Sequence, residues 1–454
     1  DEKSRELILQ SGESLLTQVN VDDVADMVLE GKLEFPGCDG QNFRESVTKW
    51  ADVMSNCASN TNGISMISPP PIGGQCRMCE YRNDMTTDGQ RSGFDECWQE
   101  VTAATFPPEE PDIPRPVVDL WYGGLTTNKY ISAQKYFMED LSPSDLGLSA
   151  DGTDKKKNTK KLGITRAQRQ WYQIAGVSSL SPNSDVELDM KYLRDEMDTW
   201  CFPFHFVDFE TTSPALPYST GKSPFDLLAF QFSHHMLHEN GEVEHVSEFL
   251  HAVPGECPNS LFLDAFSRAM GDSNKGTVFR WGAHENTVLS TLLQRHNTSF
   301  ETSQVLEPLL SDGSRAMVDL MQVATKSYFV AGSGASSSIK NLLLPTMRAS
   351  EKLRRIYGEA TYSSRNFSHQ QWWQMESERG GLLDPYSLLG TEDKGDRVAD
   401  GGDAIVAYNV LQQINTNVQT RAKIEASLLR YCELDTLAMI MIVQAWQGFL
   451  EIRG

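Results

Sequence analysis

The stretch His205-Phe206-Val207-Asp208-Phe209-Glu210-Thr211 decides how this chain is read. Its aromatic and β-branched residues suit a buried strand. Alternate residues of a strand share a face, so Asp208 and Glu210 point the same way. Two carboxylates side by side at a strand end repel each other unless a cation lies between them. Hard oxygen ligands suit Mg²⁺ or Mn²⁺. A nuclease-type metal site is one meaning of the motif; a solvated acidic strand end is the other.

A two-metal hydrolytic site draws about four carboxylates from different elements. The first downstream acid in a suitable place is Glu285, in Val278-Phe279-Arg280-Trp281-Gly282-Ala283-His284-Glu285. There an apolar strand runs into a short turn and an acid opens the next helix. The helix dipole alone would also favour an acid at that position. The second is Asp435, in Leu429-Arg430-Tyr431-Cys432-Glu433-Leu434-Asp435-Thr436. Tyr431 and Asp435 are four apart and share a helical face, in a helix that is otherwise largely apolar. Asp435 could hold a metal while Tyr431 orients the attacking water.

The set Asp-x-Glu, a second-motif acid and Tyr-x-x-x-Asp resembles the DnaQ-like, ribonuclease-H-fold 3′–5′ exonucleases of the DEDD type, tyrosine subclass. The likeness extends through Pro214-Ala215-Leu216-Pro217, Phe230-Gln231-Phe232-Ser233, and Ser338-Ile339-Lys340-Asn341 with Pro345. The whole string resembles a mostly bacterial family that joins a RecB-like nuclease domain bearing an iron–sulfur cluster to a DnaQ-like exonuclease domain. By matching positions, the resemblance implies metal binding by Asp208, Glu210, Glu285 and Asp435, with two Mg²⁺ or Mn²⁺ ions. It places Tyr431 next to the nucleophilic water. Glu285 departs from the pattern, because DnaQ-like enzymes generally carry Asp there. Asp319 matches a recurrent acid read as structural. Lys340 is read as a phosphate contact or a surface lysine.

Three of the eight cysteines cluster as Cys76-x-x-Cys79 and Cys97. Eight are too sparse for a disulfide scaffold in a chain this long. The spacing suggests a metal or cluster site in a reducing compartment, the cytoplasm or an organelle matrix. The trio resembles the carboxy-terminal cysteines of RecB-like iron–sulfur nucleases, which implies a [4Fe-4S] cluster, with Zn²⁺ as the alternative. In that family a further cysteine precedes the nuclease core. Here most of that core is not seen, so the fourth ligand is expected from Cys57 or Cys38, or is missing. Residues 1–100 contain no complete Asp…Glu-x-Lys nuclease motif, so no second catalytic site is expected.

The 454 residues allow two or three domains. Composition shifts and the proline breaks at 69–71 and 107–116 divide them as 1–105, the tail of a RecB-like nuclease domain with the cysteine cluster; 106–200, a helical connecting region; and 201–454, the exonuclease domain. The expected fold is α/β: a ribonuclease-H-like mixed sheet flanked by helices, preceded by a mainly helical, cysteine-containing region. Strands are expected at 204–208, 227–232 and 278–281. Helices are expected at 21–29, 165–172, 188–200, 285–295, 317–327 and 421–447, and exposed polar segments at 363–373 and 390–402. His234, His235 and His238 read as satisfied or exposed rather than metal-binding, and Trp372-Trp373 as core.

The net charge of −22 argues against binding nucleic acid through a generally basic surface. It leaves room for an enzyme that meets phosphates through bound metal and a local groove. The basic run Lys155-Lys156-Lys157 with Lys160-Lys161 reads as a solvated loop. No apolar run approaches the ~18 residues needed to span a membrane. The leading expectation is a metal-dependent 3′–5′ exonuclease on DNA or RNA. The alternative is an inactive exonuclease-fold subunit that serves as scaffold in a larger, nucleic-acid-processing assembly.

Overall fold

The computed structural model describes residues 20–32, 42–59, 72–83, 92–102, 114–153, 163–176, 185–271, 275–296, 298–376, 381–389 and 398–453. The chain forms two compact units, one of residues 1–72 and 79–109, the other of 73–78 and 110–454. The described part of the first unit is helical: α1 (Asp22–Leu29), α2 (Phe43–Ser59) and α3 (Gly93–Thr102). In α3, Phe94 and Trp98 are buried and their rings stack at 5.4 Å.

The second unit opens with α4 (Thr127–Ser132) and α5 (Arg166–Ala175), then runs β1 (Val186–Leu188), α6 (Met190–Met197), β2 (Phe204–Thr212), β3 (Leu228–Leu237) and β4 (Val243–Leu250). It continues as α7 (Asn259–Gly271), β5 (Val278–Arg280), α8 (His284–Arg295), α9 (Phe300–Leu306), β6 (Val318–Asp319), α10 (Leu320–Ser327) and β7 (Tyr328–Val330). It ends with α11 (Ile339–Ala349), α12 (Glu351–Tyr357), α13 (Gly401–Leu411) and α14 (Val418–Arg453). The fold is thus α/β, with a mixed sheet of order β4-β3-β2-β5-β6 flanked by helices. β2, β3 and β4 are antiparallel neighbours, while β5 and β6 join parallel to β2. β1 and β7 make a separate antiparallel pair.

β2 sits at the centre of the sheet and is buried on both faces, which explains its nearly continuous apolar sequence. Its residues divide by parity. Phe204 and Phe206 enter the core that contains α14. Val207 and Phe209 enter a second core formed with Phe262 and Phe266 of α7 and Leu289 of α8. Asp208 and Glu210 share the parity of Phe206, so the strand aims both acids toward α14. Phe206 is fully buried, and truncating it to Ala would cost roughly 3–5 kcal/mol.

Residues 431–446 of α14 are buried all the way round, as expected of a helix that runs through a core rather than across a surface. Met317 lies in the loop and Val318–Asp319 form a short strand before α10 rather than its first turn, and Leu188 ends β1 rather than starting a helix. The segment 363–373 is exposed at Ser363, Arg365, Ser368 and His369 but not throughout. Its Phe367 and Trp372 are buried in the α14 core, because an irregular segment can seal a core wherever two large rings can point inward. Residues 390–397, Cys38 and the lysine run 155–161 lie outside the described residues, as does the side chain of Cys57.

Candidate metal centre

Strand β2 and helix α14 bring three acids together: one carboxylate oxygen from each of Asp208, Glu210 and Asp435 lies within 4.8 Å of the others. Glu210 and Asp435 are buried. Burial raises all three acids above the ordinary carboxylate range. For Asp208 the negative charges of Asp435, Glu210 and Glu285 push further the same way. For Glu210 those of Asp435 and Glu285 do so, against the pull of Lys340. Asp435 is raised by burial and eased by Lys340, Tyr386 and Tyr431. Buried like charges this close are held without cost only by protons or by a cation.

Glu285 stands outside that set of three but acts on it. It lies in the first turn of α8, is 2 % exposed, and its Oε2 has no hydrogen-bond partner. Burial pushes its carboxyl up to about 8; its own backbone amide and Arg280 pull it down, and Asp319 and Asp435 raise it. Asp319 builds the turn that places Glu285. It pairs with Arg280 at 3.1 Å, accepts from the Gly282 amide at 3.0 Å and caps α10 through the Gln322 amide at 3.2 Å. Gly282 has φ +94°, a conformation that costs a non-glycine residue energy. His284 Nε2 lies 3.3 Å from Thr211 Oγ1, fastening the start of α8 to the end of β2.

Around the acids stand four groups that can donate. Lys340 of α11 donates to the Tyr431 hydroxyl at 2.9 Å and to the Ala399 carbonyl at 3.0 Å. Its Nζ also lies over the rings of Tyr431 and Tyr386, 4.7 and 5.2 Å from their centroids. Tyr431 hydrogen-bonds Asp435, and the Tyr386 hydroxyl donates to Asp435 Oδ1. Burial and the nearby acids push both phenols far above their ordinary range, so they remain protonated. The buried Cys432 thiol lies 3.5 Å from Asp208 Oδ2. Tyr386 and Cys432 were not anticipated. Cys432 neighbours Tyr431 in sequence, but nothing near Tyr386 signals its role.

The remaining candidates fall elsewhere. Cys76 belongs to the second unit and accepts from the Gly73 amide at 3.4 Å; Cys79 and Cys97 belong to the first. All three are half-buried. His205 of β2 and His234 of β3 partner each other in the core. His205 Nδ1 and His234 Nε2 are 3.0 Å apart, and His234 Nδ1 meets Ser247 Oγ at 3.1 Å. Burial depresses His205 to about 4 and His234 to about 3.

A sequence-family profile described as a domain of unknown function (DUF2779) matches residues 205–338. That span contains Asp208, Glu210 and Glu285 but not Tyr431 or Asp435. Comparison with curated proteins and with solved structures finds no match. Among the described residues, no helix is long and apolar enough to cross a membrane.

Proposed function

We propose that this chain is a metal-dependent 3′–5′ exonuclease that hydrolyses phosphodiester bonds in DNA or RNA. The observation that carries the proposal is the convergence of Asp208, Glu210 and Asp435 from a central strand and a buried helix. The strand order supports a ribonuclease-H-like fold: an antiparallel β2-β3-β4 meander extended by parallel β5 and β6, with the acids on the central strand. The donor set fits Mg²⁺ or Mn²⁺, being all carboxylate, desolvated and short of positive charge. Asp208, Glu210 and Asp435 would hold the ions, with the unpartnered Glu285 Oε2 offering a further oxygen. When bound, such ions make water nucleophilic near neutral pH and neutralise charge on the departing oxygen.

The chain's own groups would do the rest. Lys340 donates to the Tyr431 oxygen, which turns the phenolic hydrogen toward Asp435. The protonated phenol is then fixed as a hydrogen-bond partner for the attacking water and cannot act as its base. In the hydrolysis a water oxygen–phosphorus bond forms and the bond from phosphorus to the 3′ oxygen breaks. One water proton goes to solvent and the other stays on the released phosphate, while the departing 3′ oxygen takes up a proton from solvent to become the new 3′ hydroxyl. Lys340 would also steady the scissile phosphate. Whether the chain also carries an iron–sulfur cluster or zinc is read by iron and zinc analysis with a visible spectrum.

The test is Asp208→Ala against the parent on a 5′-labelled single strand with Mn²⁺. Loss of several kcal/mol of charge stabilisation predicts about a 10³-fold slower release of 3′ nucleotides. Equal degradation by both proteins would exclude the assignment. A parent with neither Mn²⁺ affinity nor turnover would be the inactive scaffold instead.

A further inference from the structure

The opposite face of α14 carries a second set of metal-type donors. Successive helical residues turn by about 100°, so Glu433 points away from Tyr431 and Asp435. Its side chain is fully buried against β4, where it meets His245, 1 % exposed, and Glu248. Donor atoms from His245, Glu248 and Glu433 lie within 4.8 Å of one another.

Neutral donors account for the two carboxylates. The Tyr362 hydroxyl donates to Glu433 Oε1 at 2.5 Å. The Asn366 amide nitrogen bridges Glu433 Oε2 at 2.8 Å and Glu248 Oε2 at 2.7 Å. They do not account for His245. Its Nδ1 lies 3.2 Å from Glu433 Oε2 yet makes no hydrogen bond. Burial, and then the charge of Arg365, depress the ring to about 4, so at neutral pH it has one N–H to place. On Nε2 that proton reaches Ser233 Oγ at 3.2 Å, which leaves the Nδ1 lone pair facing a carboxylate oxygen in a dry site. On Nδ1 the hydrogen is poorly aimed at Oε2. A cation between Nδ1 and the two carboxylates removes the conflict. The Nε2–H to Ser233 is then the outer hydrogen bond that usually fixes a metal-binding imidazole.

We propose that His245, Glu248 and Glu433 bind one first-row divalent transition ion of the Zn²⁺ type, tying β4 to α14 at a site separate from the four acids. One imidazole nitrogen and two carboxylate oxygens form a three-ligand zinc set with a position left for water. Mg²⁺ prefers oxygen alone. Entry is from solvent past Glu248, the most exposed of the three, which also lines an open groove of about 600 Å³ with Leu250, Arg421 and Leu429.

The test uses the full chain, stripped of metal, loaded with Zn²⁺ in excess Mg²⁺, desalted and analysed for zinc. His245→Ala and Glu248→Gln should each carry one zinc fewer per chain than the parent, while Asp208→Asn should lose none. Co²⁺ loading should give visible ligand-field bands without near-ultraviolet thiolate absorption, absent in Glu248→Gln; this keeps the cysteines apart. Should His245→Ala fail to fold, Glu248→Gln decides alone, because that side chain reaches the surface. Equal zinc in the parent and Glu248→Gln overturns the site. So does zinc lost in Asp208→Asn but kept in Glu248→Gln, which would put the ion among the four acids. Neither failure touches the exonuclease proposal, whose readout is Mn²⁺-dependent degradation lost in Asp208→Ala.

Discussion

Glu433 and Asp435 are two positions apart on α14, and both are buried carboxylates. Glu433 faces β4 and meets Tyr362 and Asn366, neutral donors that solvate it in place of water. Asp435 faces β2 and meets Asp208 and Glu210, with Lys340 acting on the group as a cation. One carboxylate has been given a solvent. The other has been given competitors for the same positive charge. Burial raises both groups; Glu433 is raised further by Glu248 alone, whereas beside Asp435 the carboxyls of Asp208 and Glu210 are each raised by three neighbouring acids. A buried acid thus does not by itself call for a Mg²⁺-type ion; acids crowded together with too little positive charge do, whereas at Glu433 the pointer to a metal is the unpartnered His245 Nδ1.

The largest effect that separates the two faces should appear with pH. In metal-free protein the folded chain keeps Glu285 protonated up to about 8 and holds Asp208, Glu210 and Asp435 above their ordinary values. The unfolded chain releases those protons near pH 4. Between these limits the folded state binds more protons, so stability falls as pH rises. Each retained proton contributes about 1 kcal/mol per pH unit. Urea unfolding in EDTA should show the protein a few kcal/mol weaker at pH 8 than at pH 7, above the range where the buried histidines, held low in the folded chain, take up protons on unfolding, and saturating Mn²⁺ should abolish the slope. A flat profile in EDTA would mean the four acids do not repel one another.

A smaller and sharper break comes from paired substitutions. In EDTA at pH 7.5, Glu433→Gln puts an amide donor among donors and should cost about 1–3 kcal/mol. Asp208→Asn removes one repelling charge and should gain about 1–2 kcal/mol, the common trade of activity for stability at a strained site. Opposite signs in denaturant midpoints are the expected result. The same sign for both would erase the distinction between the faces.

The sequence carried one of these faces better than the other, for physical reasons. Asp208 and Glu210 are legible because strand parity fixes their direction, and Tyr431 with Asp435 because helical spacing does. Glu285 follows from an apolar strand, a glycine turn and a helix start. All are local rules. β4 was not anticipated: as an edge strand it is only half-buried and its sequence, VEHVSEFL, does not alternate cleanly. β6 is two residues long and owes its identity to pairing with β5. Tyr386, and the partners of Glu433 at Tyr362 and Asn366, meet α14 only through the tertiary fold, across separations that no periodicity spans. Nor does the sequence around Lys340 show that its Nζ reaches Tyr431, 91 positions away, from a half-buried place.

That lysine supplies the smallest effect. Its charge lowers both Glu210 and Asp435 and opposes any cation bound beside them. In Lys340→Met, Mn²⁺ should therefore bind more tightly at pH 9, where the acids carry more charge, by about fivefold for a removed repulsion of roughly 1 kcal/mol. At pH 6 the gain should shrink toward none. There each ion must displace protons that the loss of Lys340 has also made harder to remove, so the two consequences cancel. Calorimetric titration at both pH values reads the difference, and zinc at His245, Glu248 and Glu433 serves as the unaffected control. Weakening by the same factor at every pH would show that Lys340 acts only by holding Tyr431 in place, with no electrostatic part in the acidic face.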